Sequence, residues 1–184
     1  MQSEEKSRFA HRQIESPIEK GLVFIRDDDS IFTTNVPFIH QTGGSPDGFE
    51  TGYIGSGPSE FALNAVAWIL DTYADQVDVY SEPVDPFVPA DEDEVGAVSI
   101  RSGLVRKDAW LLRHGFKVRT IAAIKLENGE RYDLPVGLCC AVLEIVAGEL
   151  GLKAPPFKWD MIPGGRDQVV VDARAFNERF GIKA

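Results

Sequence analysis

The sequence predicts an α+β fold, an antiparallel sheet with helices packed on one face and an acidic insertion loop. Three observations carry this. Short apolar runs bounded by turn residues fill positions 21–54, the signature of strands. A stripe through Phe61, Ala62, Ala65, Val66, Ile69 and Leu70 has helical spacing. A long apolar stretch, Leu134–Leu150, runs into Gly151, a fitting C-terminal glycine for a helix.

Taken in order, residues 1–20 are polar and form a flexible N-terminal segment, with a short helix around Phe9–Ile14. Residues 21–184 then make one domain. Gly21–Arg26 is the first strand, Asp27-Asp28-Asp29-Ser30 a turn, and Ile31–Thr34 the return of a hairpin. Val36–His40 and Phe49–Ile54 are two further strands, the second leading into a glycine-rich turn. The helix that follows runs from Pro58 to Tyr73. Val77–Tyr80 and Val95–Ile100 are short strands flanking an acidic, proline-rich insertion at about 81–94. Leu104–Ile124 has a helical pattern interrupted by Gly115. Asn128-Gly129 marks a hairpin turn. Beyond the Leu134–Leu150 helix, Gln168–Val171 reads as a strand and Ala173–Phe180 as a short terminal helix.

The chain has 184 residues and a net charge of −10, enough length for one domain with a real core. No apolar run approaches the roughly 20 residues of a membrane span. Cys139 and Cys140 are adjacent on a helix, where neighbours point to different faces, so they read as free buried thiols of a cytoplasmic protein. The charge is unevenly placed. Residues 27–100 hold 15 acidic groups and no lysine or arginine, whereas residues 101–184 hold 14 basic and 10 acidic ones. An acidic first half argues against direct nucleic-acid binding, which rests on neutralising phosphates with Lys and Arg. It permits contact with a basic protein partner.

The most informative stretch is Gly52-Tyr53-Ile54-Gly55-Ser56-Gly57-Pro58-Ser59-Glu60. Gly55 and Gly57 suit positive φ. Pro58 suits the first helical position with Gly57 as N-cap, and Glu60 then falls where a capping-box carboxylate belongs. A glycine turn at a helix N-terminus presents backbone N–H groups and the positive dipole end to an anion. The pattern is neither the dinucleotide-binding Gly-x-Gly-x-x-Gly nor a P-loop. Glu60 would repel a phosphate from the same turn.

Ser45-Pro46-Asp47-Gly48-Phe49-Glu50-Thr51-Gly52-Tyr53, followed by Gly55-Ser56-Gly57-Pro58-Ser59-Glu60-Phe61-Ala62-Leu63-Asn64, resembles a small family of bacterial, archaeal and phage proteins of unknown function. Its hallmark is a Ser-Pro-x-Gly-Phe-x-x-Gly-Tyr-Gly-Gly-Ser-Gly-Pro-Ala-Asp-Leu-Ala-Leu type segment. Phe116-Lys117 and the apolar run to Ile124 look like the family's second block, so the resemblance spans about residues 22 to 124. Ile54 stands where the family tends to have glycine, and Thr51 where an aromatic is common. The resemblance implies a phage or mobile-element setting and carries over no catalytic residue.

Other chemistry is sparse. His11, His40 and His114 are scattered, with no Cys-x-x-Cys, so no metal site is expected. The Asp27–Asp29 run lacks calcium-loop spacing. Ser56 lacks the Gly-x-Ser-x-Gly context of a nucleophile. No cofactor and no catalytic residue is expected, and no membrane contact. The expectation is a non-catalytic cytoplasmic protein binding a small anionic ligand, a nucleotide or phosphate-bearing metabolite. The site comprises Tyr53, Gly55, Ser56, Gly57 and Ser59, completed by basic residues from 101–119, Arg119 among them, or by Arg166. Gly57→Val or Arg119→Glu would then abolish binding. The alternative is an acidic protein-interaction module that inhibits a basic or nucleic-acid-binding partner through residues 75–94. An enzyme stays open but has no motif.

Overall fold

Leu22, Val23 and Phe24 are buried in succession, so the strand that carries them is covered on both faces. This strand, β2 (Leu22–Arg26), is an interior strand of a four-stranded sheet. The computed structural model describes residues 11–39, 48–75 and 106–182. The other strands are β1 (Arg12–Gln13), β3 (Phe32–Thr34) and β4 (Arg131–Leu134), and the helices are α1 (Ser56–Tyr73), α2 (Lys107–Arg119), α3 (Val136–Glu149) and α4 (Gly165–Phe180). The fold is α+β.

The sheet order is β1-β3-β2-β4. β2 pairs antiparallel with β3 and with β4, but β1 pairs parallel with β3. The sheet is therefore mixed, where the sequence predicts an antiparallel one. Arg12 and Gln13 are too short and too polar to announce a strand. Over residues 11–14 they replace the helix expected around Phe9–Ile14, whose first two residues lie outside the described ones, and the chain then passes through a single 3-10 turn at Ile18–Lys20. Asn35 fastens this corner. Its Nδ2 donates to the Ser16 and Gly21 carbonyls, at 3.1 and 3.0 Å, and its Oδ1 accepts from Val23 N–H at 2.8 Å.

The sheet reaches the helices through aromatic side chains. Phe24 and Phe32 both meet Phe61 of α1 edge-on, with centroids 5.2 and 5.4 Å apart. Tyr132, the register partner of Phe24, packs on Phe176 and Phe180 of α4. Arg131 and Asp133, which alternate with it, are exposed. α1 is central: every residue from Phe61 to Leu70 is buried except Trp68, which is half-buried.

Several elements differ from the sequence expectation. Residues 36–39 and 49–54 form no strand, and His40 and the loop to Asp47 lie outside the described residues. So do residues 76–105, with the acidic insertion, both predicted flanking strands and Arg101. Gly115 does not interrupt α2. A Cβ there would stand 2.6 Å from Val146 Cγ1, so this glycine lets α2 approach α3. The Asn128-Gly129 turn is present, with Gly129 at φ +84°, but it delivers β4 to β2 and closes no local hairpin. Gly151 ends α3 as expected, at φ +68°, with Leu152 N–H donating to the Ala147 carbonyl at 2.8 Å.

The largest departure is at the C-terminus. The predicted strand at 168–171 and short helix at 173–180 are one 16-residue helix, α4. Val169-Val170-Val171 mimics a strand, but Val169, Ala173, Phe176 and Phe180 repeat at helical spacing and pack on the core, which outweighs the weak helix propensity of valine.

Candidate functional site

Residues 48–55 hold the site. They form no ladder because side chains pin them instead. Phe49 N–H donates to His11 Nδ1 at 2.9 Å, and the two rings stack at 4.4 Å. Both terminal nitrogens of Arg26 clamp the Glu50 carboxylate, which also accepts from Thr51 N–H at 2.9 Å. Thr51 Oγ1 lies 2.8 Å from the Ile121 carbonyl and 3.0 Å from that of Ile124. Gly52 N–H also donates to Ile121 O, at 3.0 Å. Gly52 has φ +90°, which only glycine takes readily.

The chain then surfaces at Tyr53 and Ile54, 50% and 67% exposed. α1 begins at Ser56 with Gly55 as N-cap, two positions earlier than the sequence predicts. Gly55 is extended (φ −171°), and Gly57 is a first-turn helical residue, so neither needs positive φ. Pro58 still falls where an amide has no intrahelical acceptor. Glu60 is two positions too deep for a capping box and is buried. No side chain caps the helix. The Ser56 and Gly57 N–H groups have no acceptor among the described residues.

Gly57 is required for packing. A Cβ there would stand 2.7 Å from Glu50 Cβ and 3.2 Å from Tyr53 Oη. At Gly55 it would meet the Tyr53 ring at 2.5 Å, so that ring lies across the start of the helix. Ser59 Oγ donates to Gly55 O at 2.8 Å and accepts from Lys117 Nζ at 2.7 Å. An ammonium group that is 4% exposed is thus tied to the first turn of α1.

Of the predicted site residues, Tyr53, Gly55, Ser56, Gly57 and Ser59 come together. Arg119 and Arg166 go elsewhere. Arg119 pairs with Glu149 of α3. Arg166 forks onto Glu144 of α3, at 3.1 and 3.3 Å, and lies 4.2 Å above the Trp159 ring. Lys117 is the cation at the turn. The signal was present: Ala109, Leu112, Arg113, Phe116, Lys117 and Thr120 share the buried stripe of α2, so Lys117 sits on the face that meets α1. At the other end of α2, Arg106, 1% exposed, bonds Asp108 at 2.7 Å and Asp71 of α1.

His11 is the titratable group whose shift bears on the site. Burial lowers its pKa below the ordinary imidazole value, only partly countered by the Glu50 carboxylate. Among the described residues no group of three or more His, Cys, Asp or Glu could hold a metal ion, and no helix is long and apolar enough to cross a membrane. Of the acidic stretch 75–94 only Asp75 is described, and it pairs with Lys158 at 3.1 Å. Comparison of the chain with protein-family models, curated proteins and solved structures found no match.

Proposed function

We propose that the protein binds a small anion, a nucleotide or a phosphate-bearing metabolite, at the N-terminal end of α1, without catalysis. One observation carries this reading. Two backbone donors with no acceptor among the described residues, Ser56 N–H and the buried Gly57 N–H, lie on the same helical turn to which Ser59 ties the Lys117 ammonium. Backbone amides, the helix dipole and a cation then act on one point. Arg26 neutralises the nearby Glu50 carboxylate, and Glu60, the acidic residue of the same turn, is buried and has a partner of its own. The exposed Tyr53 ring beside Gly55 offers a flat apolar face for a base or sugar.

The test is a thermal-shift series with inorganic phosphate, adenine nucleotides, cyclic nucleotides and sugar phosphates, against sulfate at matched ionic strength. A ligand at about 100 times its dissociation constant stabilises by about 2.7 kcal/mol. We expect one of these classes to shift the parent, Lys117→Met to lose the shift, and Tyr53→Ala to weaken it for nucleotides more than for phosphate. No shift with any of them in a folded sample overturns the proposal.

A further inference from the structure

The outer face of α4 carries a pattern that the other described residues do not use. Val170 and Val171 are 64% and 56% exposed. Valine is a poor helix former, so these residues weaken the helix and gain little burial in return. Asp167 and Arg174 are exposed as well, and neither side chain has a hydrogen bond or ion pair among the described residues. At about 100° per residue, positions 167, 170, 171 and 174 fall within an arc of roughly 100°. That stripe lies nearly opposite Val169, Ala173, Phe176 and Phe180, which hold α4 on the core.

The stripe is complementary to itself in one orientation only. Placed antiparallel on a second α4 about a two-fold axis between Val170 and Val171, each of these valines meets the other's counterpart. Asp167 then faces Arg174 of the partner subunit, and the axis repeats that pairing on the other side. Glu178 falls beside the start of the partner helix, where the dipole favours a carboxylate. A parallel arrangement sets Asp167 against the partner subunit's Asp167, and like charges repel. A two-fold contact uses the same patch on both copies, which is what this arrangement requires.

We infer that this face of α4 is a self-association surface and that its occupant is the α4 of a second copy of the chain. A single pair of short helices buries less than the roughly 1,200 Å² of a standard interface, so the dimer is weak and reversible, with a dissociation constant on the order of 100 µM. The surface is independent of the anion site proposed above.

The experiment is sedimentation equilibrium of the full chain from about 1 µM to about 1 mM, a range that brackets that constant, with circular dichroism to confirm intact helices. We expect a monomer–dimer equilibrium in the parent and its loss in Val171→Glu. D167R and R174D alone should each weaken association by about tenfold or more, because each sets like charges face to face. The double variant D167R/R174D should restore it to within about threefold of the parent, since the swap recreates both pairings. A chain that stays monomeric throughout overturns the inference. So does a dimer indifferent to Val171→Glu, or a double variant no better than the single ones.

Discussion

Gly57→Ala should destabilise the protein even though alanine is the better helix former. The added Cβ would stand 2.7 Å from Glu50 Cβ, 3.2 Å from Tyr53 Oη and 3.4 Å from the Gly48 carbonyl. Two carbons in contact prefer about 3.5–4.0 Å, so helix and loop must separate by nearly 1 Å. Neither Cβ can swing away, because each is fixed to its backbone. The Glu50 backbone is held in turn by the Arg26 clamp and by the Thr51 and Gly52 bonds to Ile121. Overpacking of this kind costs about 1–3 kcal/mol. Replacing glycine recovers up to about 1 kcal/mol in a helix interior and less in the first turn. The net loss is about 1–2 kcal/mol, or a melting temperature lower by about 2–8 °C for a chain of this size. Urea melts followed by far-UV circular dichroism measure it. Gly55→Ala is the control: the three atoms nearest its Cβ all belong to the ring of Tyr53, a half-exposed side chain, so the loss should stay below about 1 kcal/mol. If Gly57→Ala is as stable as the parent, the loop is not seated on α1 as described. The same geometry means that Gly57→Val would disturb the fold before it reported on any ligand.

Three further outcomes follow from the described contacts. The pKa of His11 is lower folded than unfolded, so its contribution is fully present above pH 6.5 and is lost as pH falls through the folded value; His11→Gln should flatten that slope in urea melts taken from pH 7 downwards. Asp71→Ala leaves the buried Arg106 guanidinium with Asp108 alone and should cost about 1–3 kcal/mol by the same melts, and a loss under about 0.5 kcal/mol would refute the pairing. Burial pushes the Cys139 thiol up and that of Cys140 to about 12, so neither should react with a thiol reagent at pH 8 until denaturant is added.

Much of the fold was legible where periodicity and core burial agree. β2, β3, α1 and α3 lie close to where apolar spacing and turn residues put them, because the same side chains that set the pattern fill the core. Residues 49–54 misled because Phe49, Glu50 and Thr51 are held by His11, Arg26 and the Ile121–Ile124 carbonyls and not by a ladder; Thr51 bonding Ile121 and Ile124 is a contact across some 70 positions that no local window contains. β1 was invisible because two polar residues carry no period. α4 was misread because three valines outvoted a core stripe spread over twelve positions. At the candidate site the glycine turn itself was legible. Its cation was legible only as one of the basic residues of 101–119: Arg119 and Arg166 stood out, while Lys117 reaches Ser59 through the packing of α2 on α1.

The pairing of β2 with β4 has a consequence for how the chain is made. Ile25 and Arg131, partners across the sheet, are roughly a hundred residues apart in sequence. Bringing them together costs about 4 kcal/mol of chain entropy on a simple ring-closure estimate, before any contact rewards it. During synthesis β2 and β3 can pair early, but one edge of β2 stays open until residues 131–134 have emerged. An open apolar edge is a template for pairing with another chain. The nascent protein is therefore most exposed to misassembly over the long interval when its first two-thirds are made and β4 is not, and a chain cut short before residue 131 would be left in that state.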